Sequence, residues 1–207
     1  MKFNKLFAVM AAFALSVCAV FAQDTRLDKI QKAGNAVSRI TADFVQTRII
    51  VASGKVVKSS GKLYYTDKGQ LSMQYVKPAG DVLVIDGNSM YLSRSGKVNN
   101  FDLSKNKLMS SLSSMLLGCI AGNAEQVAGA NNADISVSES GNDYVVTMKA
   151  RTQAVRGYSD IVLNYRKSDC LLVKMDITEF SGIRNVYEMS SVDTRTAVDG
   201  TVFNIPR

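Results

Sequence analysis

The chain has 207 residues, 46% of them hydrophobic and 21% charged, with no Trp, no His and a formal net charge of +7. The lack of His removes the usual general base near neutral pH and the commonest metal ligand, which weighs against hydrolase and metalloenzyme classes. The Lys and Arg residues are scattered without a dense cluster, so the excess charge marks no nucleic-acid footprint; it suits an ordinary basic surface, or a weak preference for anionic lipid or an acidic partner.

Residues 1–22 read as a secretory signal peptide. Lys2 and Lys5 make a charged start, Leu6 to Phe21 is apolar, and Val20-Phe21-Ala22 is a cleavage signal before Gln23. As a membrane span the stretch is short, and no stop-transfer charges follow it. Cys18 raises a lipoprotein alternative, but a lipidated Cys normally follows a small residue, and Val17 is a poor match. Residues 23–207 then form a single domain, long enough to bury its own core, expected in the periplasm as a monomer. Cleavage leaves Cys119 and Cys170, which in an exported protein are able to form a bridge, although a buried Cys is also an ordinary small core residue.

Asp24 to Ile40 reads as the first helix, with Leu27, Ile30, Ala33, Val37 and Ile40 on one stripe and Gly34-Asn35 as a weak point. Thr41 to Val51 is the first strand, anchored by Phe44, and Ala52 to Lys55 turn it into Val56 to Tyr65. From Gly61 to Leu92 the chain reads as four short strands. Leu63 and Tyr65, then Leu71, Met73 and Tyr75, alternate with polar residues at period two, and turns fall at Asp67-Lys68-Gly69, Pro78-Ala79-Gly80 and Asp86-Gly87-Asn88. A further short strand covers Val98 to Leu103.

The texture then changes. Ser104 to Ala121 carries Leu108, Leu112, Met115, Leu116 and Cys119 at helical spacing with Ser between, and Ser104 is the expected N-cap. Ala124 to Ala130 is a second short helix. Strands resume at 134–139, 144–151, 158–165, 170–180 and 183–194, and a terminal strand is expected over Val202-Phe203-Asn204-Ile205. The whole predicts a mainly β protein, an antiparallel sandwich or barrel of ten or eleven strands with an N-terminal helix and two helices inserted between the strands.

Catalytic patterns are sparse. The chain has no Gly-rich phosphate loop, no Gly-x-Ser-x-Gly elbow and no metal-ligand spacing, so no cofactor is expected. Carboxylate pairs such as Asp67 with Asp81, or Glu179 with Glu188, are better read as solvated turn and surface residues than as an acid and base. A nucleophile at Cys119 or Cys170 has no His to activate it. The chain is therefore read as a non-enzyme. More informative is the methionine set. Met73, Met90, Met148, Met175 and Met189 fall on the apolar faces of strands, and Met109 and Met115 in the inserted helix. Each alone is an ordinary core residue, but Met suits surfaces that accept variable apolar shapes, and the set suits a cavity for acyl chains. The expected lining is Leu63, Tyr65, Met73, Tyr75, Met90, Met148, Leu163, Met175 and Tyr187, with Leu108, Leu112, Met115 and Leu116 on the apolar face of the inserted helix.

The order and spacing of several short stretches resemble the periplasmic outer-membrane lipoprotein carrier family, the LolA-like proteins. They are Phe44-Val45-Gln46 after the first helix, Gly61-Lys62-Leu63-Tyr64, Leu71 to Pro78, Val84-Ile85-Asp86-Gly87-Asn88 with Tyr91, and the ending Asp199 to Pro206. The resemblance implies an incomplete antiparallel barrel, a half-barrel, with a helical lid that Leu108, Leu112, Met115 and Leu116 would form. It also implies a carrier that receives acylated lipoproteins from an inner-membrane ABC-type exporter and passes them to an outer-membrane acceptor. A lipid-binding or envelope-sensing module of the same fold is the alternative. The turn Thr66-Asp67-Lys68-Gly69 departs from the Arg-Pro pair that proteobacterial members carry there, so that pair's part in lid closure does not transfer to Lys68.

Overall fold

The computed structural model describes residues 25–154 and 156–205; the expected leader at 1–22 lies outside them. Helix α1 covers 25–35. Eleven strands follow: β1 (Arg39–Ile50), β2 (Lys55–Thr66), β3 (Gln70–Lys77), β4 (Val82–Asp86), β5 (Ser89–Arg94), β6 (Lys97–Asp102), β7 (Ala133–Ser140), β8 (Asp143–Ala150), β9 (Tyr158–Arg166), β10 (Leu172–Glu179) and β11 (Ile183–Asp193). Helices α2 (Lys107–Ile120) and α3 (Ala124–Ala130) stand between β6 and β7.

All eleven strands join one antiparallel sheet in the order β6-β5-β4-β3-β2-β1-β11-β10-β9-β8-β7. The chain's first and last strands therefore lie side by side at its centre, with Phe44 opposite Gly61 on β2 and Met189 on β11. The two edges, β6 and β7, do not pair, so the sheet is an open half-barrel. The segment joining those edges is the α2–α3 insertion, and it covers the concave face.

Period-two alternation decides which side chains face inward. The sheet's concave face contributes Phe44, Leu63, Tyr65, Leu71, Met73, Met90, Val146, Met148, Leu163 and Met175 to one apolar core, which Leu27 and Ile30 of α1 and Met115, Leu116 and Cys119 of α2 complete. A smaller cluster lies on the convex face, where Val84 and Tyr91 meet Phe203, flanked by Tyr64, Val82, Val198 and Val202. Among the described residues Cys119 and Cys170 are buried free thiols, so no bridge joins them. Among the described residues no helix is long and apolar enough to cross a membrane.

Three boundaries differ from expectation. The first helix stops at 35 rather than reaching Ile40, because Arg39 and Ile40 already pair with Thr66 and Tyr65 on β2. Gly34 weakens the helix and also permits a close approach, since a Cβ there would come within 2.0 Å of the Ala121 carbonyl oxygen. The N-cap of α2 is Asn106, whose side chain accepts from the Met109 N–H, while Ser104 is bonded to Asp102. The expected terminal strand is a short 3₁₀ turn, Gly200–Phe203, capped by Asp199. Its apolar residues pack over the convex face instead of joining a sheet edge.

Candidate functional site: a closed apolar hollow and its polar mouth

Leu63 and Tyr65 (β2), Met73 and Tyr75 (β3), Met90 (β5), Met148 (β8), Leu163 (β9), Met175 (β10) and Tyr187 (β11) all contribute to the same concave core. Of the expected lid, Met115 and Leu116 are buried in it, Leu112 is half-buried against it, and Leu108 is 41% exposed. Five methionines, Met73, Met90, Met115, Met148 and Met175, from four strands and the lid helix, are each no more than 2% exposed. The concave face is therefore filled by side chains of the strands packed against those of α1, α2 and α3.

The lid is held unevenly. At its C-terminal end the Tyr165 hydroxyl donates to the Cys119 carbonyl at 2.7 Å. Gly122, at φ +74°, continues the chain against Ile30, where a Cβ would sit 2.8 Å from the Ile30 oxygen. Near its start, Leu108, Met109 and Leu112 border a groove of ≈ 230 Å³ with Arg156, Gly157, Tyr158, Glu179 and Ser181. Ser110, Ser113 and Ser114 of α2 border another, of ≈ 350 Å³, together with Lys68, Gly69 and Asn88. Those residues belong to turns at the other end of the strands. A larger concavity of ≈ 700 Å³ lies along α2 and α3 and has a mixed lining, with Lys107, Ser110, Ser114 and Gln126 beside Leu103, Met115 and Val127.

The Leu108 groove adjoins a polar cluster in which Tyr75 and Tyr187 of the expected lining are joined by Gln46 and Asn185, which the sequence-based list lacks. Gln46 and Asn185 are buried on the concave face. The Gln46 amide donates to Asn185 Oδ1 at 3.0 Å and to the Tyr187 hydroxyl at 3.1 Å, while its carbonyl accepts from the Tyr75 hydroxyl at 2.9 Å. Asn185 in turn donates to Glu179 at 3.4 Å. Phe44 packs edge to face on Tyr75, with ring centroids 5.0 Å apart. Burial pushes the Tyr187 phenol up to about 12, with Arg94 and Arg48 pulling the other way. Burial raises Tyr75 and Tyr158 as well, so all three phenols are neutral at ordinary pH. Sequence reasoning sorted residues by apolarity and passed over Gln46, although it stands two positions from Phe44 and so shares its face.

The carboxylate pairs do not come together. Asp67 and Asp81 sit in turns at opposite ends of the sheet. Glu179 bonds to concave-face Asn185, whereas Glu188, next to Tyr187, faces outward beside Lys174. Among the described residues no group of three or more Cys, Asp or Glu is placed to hold a metal ion.

An open half-barrel whose apolar concave face is covered by helices has the architecture of a carrier or binding fold. The chain belongs to the LolA family: residues 35–206 match the profile described as "Outer membrane lipoprotein carrier protein LolA". No curated protein matches it. Among solved structures it is similar to MucB (13% identity, TM-score 0.54, covering 89% of this chain and 63% of that one). An uncharacterized conserved protein from Thermus thermophilus is also similar (10% identity, TM-score 0.53, 87% and 92% covered). So is a LolA superfamily protein from Nitrosomonas europaea (10% identity, TM-score 0.42, 88% and 97% covered). At these identities the likeness shows the fold alone.

Proposed function

We propose that this protein is a periplasmic carrier, exported by cleavage after Ala22, that shelters the acyl chains of lipoproteins and moves them from the inner to the outer membrane. An ABC-type exporter would deliver the cargo and an outer-membrane acceptor would remove it, with one chain carrying one cargo. The observation that supports this most is the roof. The methionine-lined face is covered by helices instead of by a second sheet, and the longest of them, α2, is tied at one end and bordered by a groove at the other. Acyl chains would replace Met115, Leu116 and Leu112 when that helix lifts. Burying each CH₂ is worth about 0.8 kcal/mol, so a chain of a dozen or more methylenes gains on the order of 10 kcal/mol, enough to offset lifting a few lid side chains. Flexible methionines re-pack around variable chains without demanding one shape.

The experiment is depletion in the native host with fractionation of the membranes. Lipoproteins stranded in the inner membrane support the carrier. Normal sorting overturns it and leaves a lipid-binding or envelope-sensing module. The turn at Lys68 favours keeping that second reading, since it lacks the Arg-Pro pair while still bordering the lid helix.

A further inference from the structure

The mouth of the hollow carries charge that the carrier reading does not use. Arg48 follows Gln46 by two residues on β1, so it shares the concave face, with Val57 and Asn185 as its cross-strand partners. Arg94 ends the inward-facing series Met90, Leu92, Arg94 on β5. It stands four strands from β1 in the sheet, but Asp81 links the end of β5 to Tyr75, its carbonyl accepting from the Tyr75 N–H at 3.0 Å and its carboxylate from the Ser95 N–H at 2.7 Å, and Arg94 and Arg48 both favour the ionised form of Tyr187. Arg26, Arg151, Arg166, Arg184 and Arg195 each have a carboxylate partner. Among the described residues Arg48 and Arg94 have none, and neither do Arg39, at the opposite end of β1, and Arg156, on the Leu108 groove.

The acids nearby are already engaged. Glu179 accepts from Ser181 at 2.8 Å and from Asn185, and Asp81 accepts from the Ser95 N–H at 2.7 Å. Tyr75 and Tyr187 are neutral and repel no anion. The mouth thus presents two unpaired guanidiniums beside fixed hydroxyl and amide groups, immediately above an apolar interior. A guanidinium fork matches the oxygens of a carboxylate or phosphate and forms its strongest hydrogen bonds with them.

We propose that Arg48 and Arg94, with the Tyr75–Gln46–Tyr187 cluster, form a subsite for the oxyanion of an amphiphile whose acyl chain lies in the hollow. The inference rests on the acyl-binding reading and adds a ligand class to it: an acyl chain bearing a carboxylate or a phosphodiester, in preference to an uncharged ester lipid.

The test compares three ligands of one chain length, palmitate, palmitoyl-lysophosphatidylglycerol and monopalmitoylglycerol, as competitors of a fluorescent fatty acid on the purified protein. At least one anionic ligand is expected to bind about tenfold or more tighter than monopalmitoylglycerol. Which of the two it is distinguishes a carboxylate source from a phospholipid. In R48Q/R94Q that preference should disappear while monopalmitoylglycerol affinity holds. R94Q alone changes an exposed residue, leaves the thermal midpoint in place, and should remove part of the preference. Equal binding of all three ligands, or a preference that survives in R94Q and in R48Q/R94Q, overturns the subsite and leaves the acyl cavity standing. Failure of all three to bind removes both.

Discussion

The Tyr165 hydroxyl donates to the Cys119 carbonyl at 2.7 Å, a buried bond that ties the last turn of α2 to β9. It spans two elements that only the fold brings together and fixes the end of the lid that does not border the Leu108 groove. Tyr165→Phe keeps the ring and removes the donor. Loss of one buried hydrogen bond is expected to cost about 1–3 kcal/mol, read as a lower urea midpoint with an unchanged slope. Unchanged stability would show that the tie is not what holds the helix.

Gly61 lies opposite Phe44 on one side and Tyr75 on the other, at an irregularity in the β2–β3 pairing. A Cβ at this position would come within 2.1 Å of the Gln74 carbonyl oxygen and 2.8 Å of the Tyr75 Cα, and backbone cannot swing aside. Gly61→Ala should therefore cost at least about 2 kcal/mol, despite the general preference of strands for residues other than Gly. It should also disturb the Gln46–Tyr75 bond, so urea melts and ligand displacement are both expected to respond.

Alkali should unfold the protein earlier than its composition suggests. Burial raises the Tyr187 phenol and the Cys119 thiol each to about 12, and raises Tyr65, Tyr75, Tyr158 and Tyr165 as well. In the unfolded chain these groups lose protons from about pH 9–10, whereas the folded chain retains them, so rising pH favours unfolding. This contribution is fully present below about pH 9 and is lost progressively as pH approaches and passes 12. Urea midpoints should be level from neutrality to about pH 9 and fall from there towards 12, with tyrosinate absorbance appearing together with unfolding. A level midpoint far into alkali would contradict the burial of these side chains.

Leu108 tests the lid as an entrance. It is 41% exposed and borders the groove, so Leu108→Gln should change stability by no more than about 0.5 kcal/mol. Displacement of a fluorescent fatty acid should nevertheless weaken several-fold, because the substitution puts an amide where the chain would pass. Full retention of affinity would mean that ligands enter elsewhere.

The C-terminal segment acts as a strap. Phe203 is 3% exposed against Val84 and Tyr91, and Phe203→Ala should cost about 3–5 kcal/mol, as expected for a large aromatic removed from a packed cluster. Ser72 faces the same side, level with Tyr64 and Val84, and is fully buried with no hydrogen-bond partner for its hydroxyl among the described residues. Ser72→Ala is accordingly expected to be neutral or stabilising in the same melts.

The strands, the position of the α2–α3 insertion and the inward-facing methionines were legible in the chain alone. Each follows from a local rule: alternation at period two, turn residues between the runs, and a change to helical spacing after Leu103. Residues with partners far along the chain were not legible. Ile40 continued a helical stripe until β2 and β11 claimed its neighbourhood, and Val202 and Phe203 read as a strand until a convex apolar patch offered them more burial than a sheet edge did. The polar mouth was hidden for the same reason. Gln46, Tyr75 and Tyr187 become one group only when β3, β2, β1 and β11 are assembled in that order, with the Tyr75 side chain reaching across β2 at Gly61. Periodicity specifies which face a side chain takes, while the curvature of the sheet and the seating of α2 decide what it meets there.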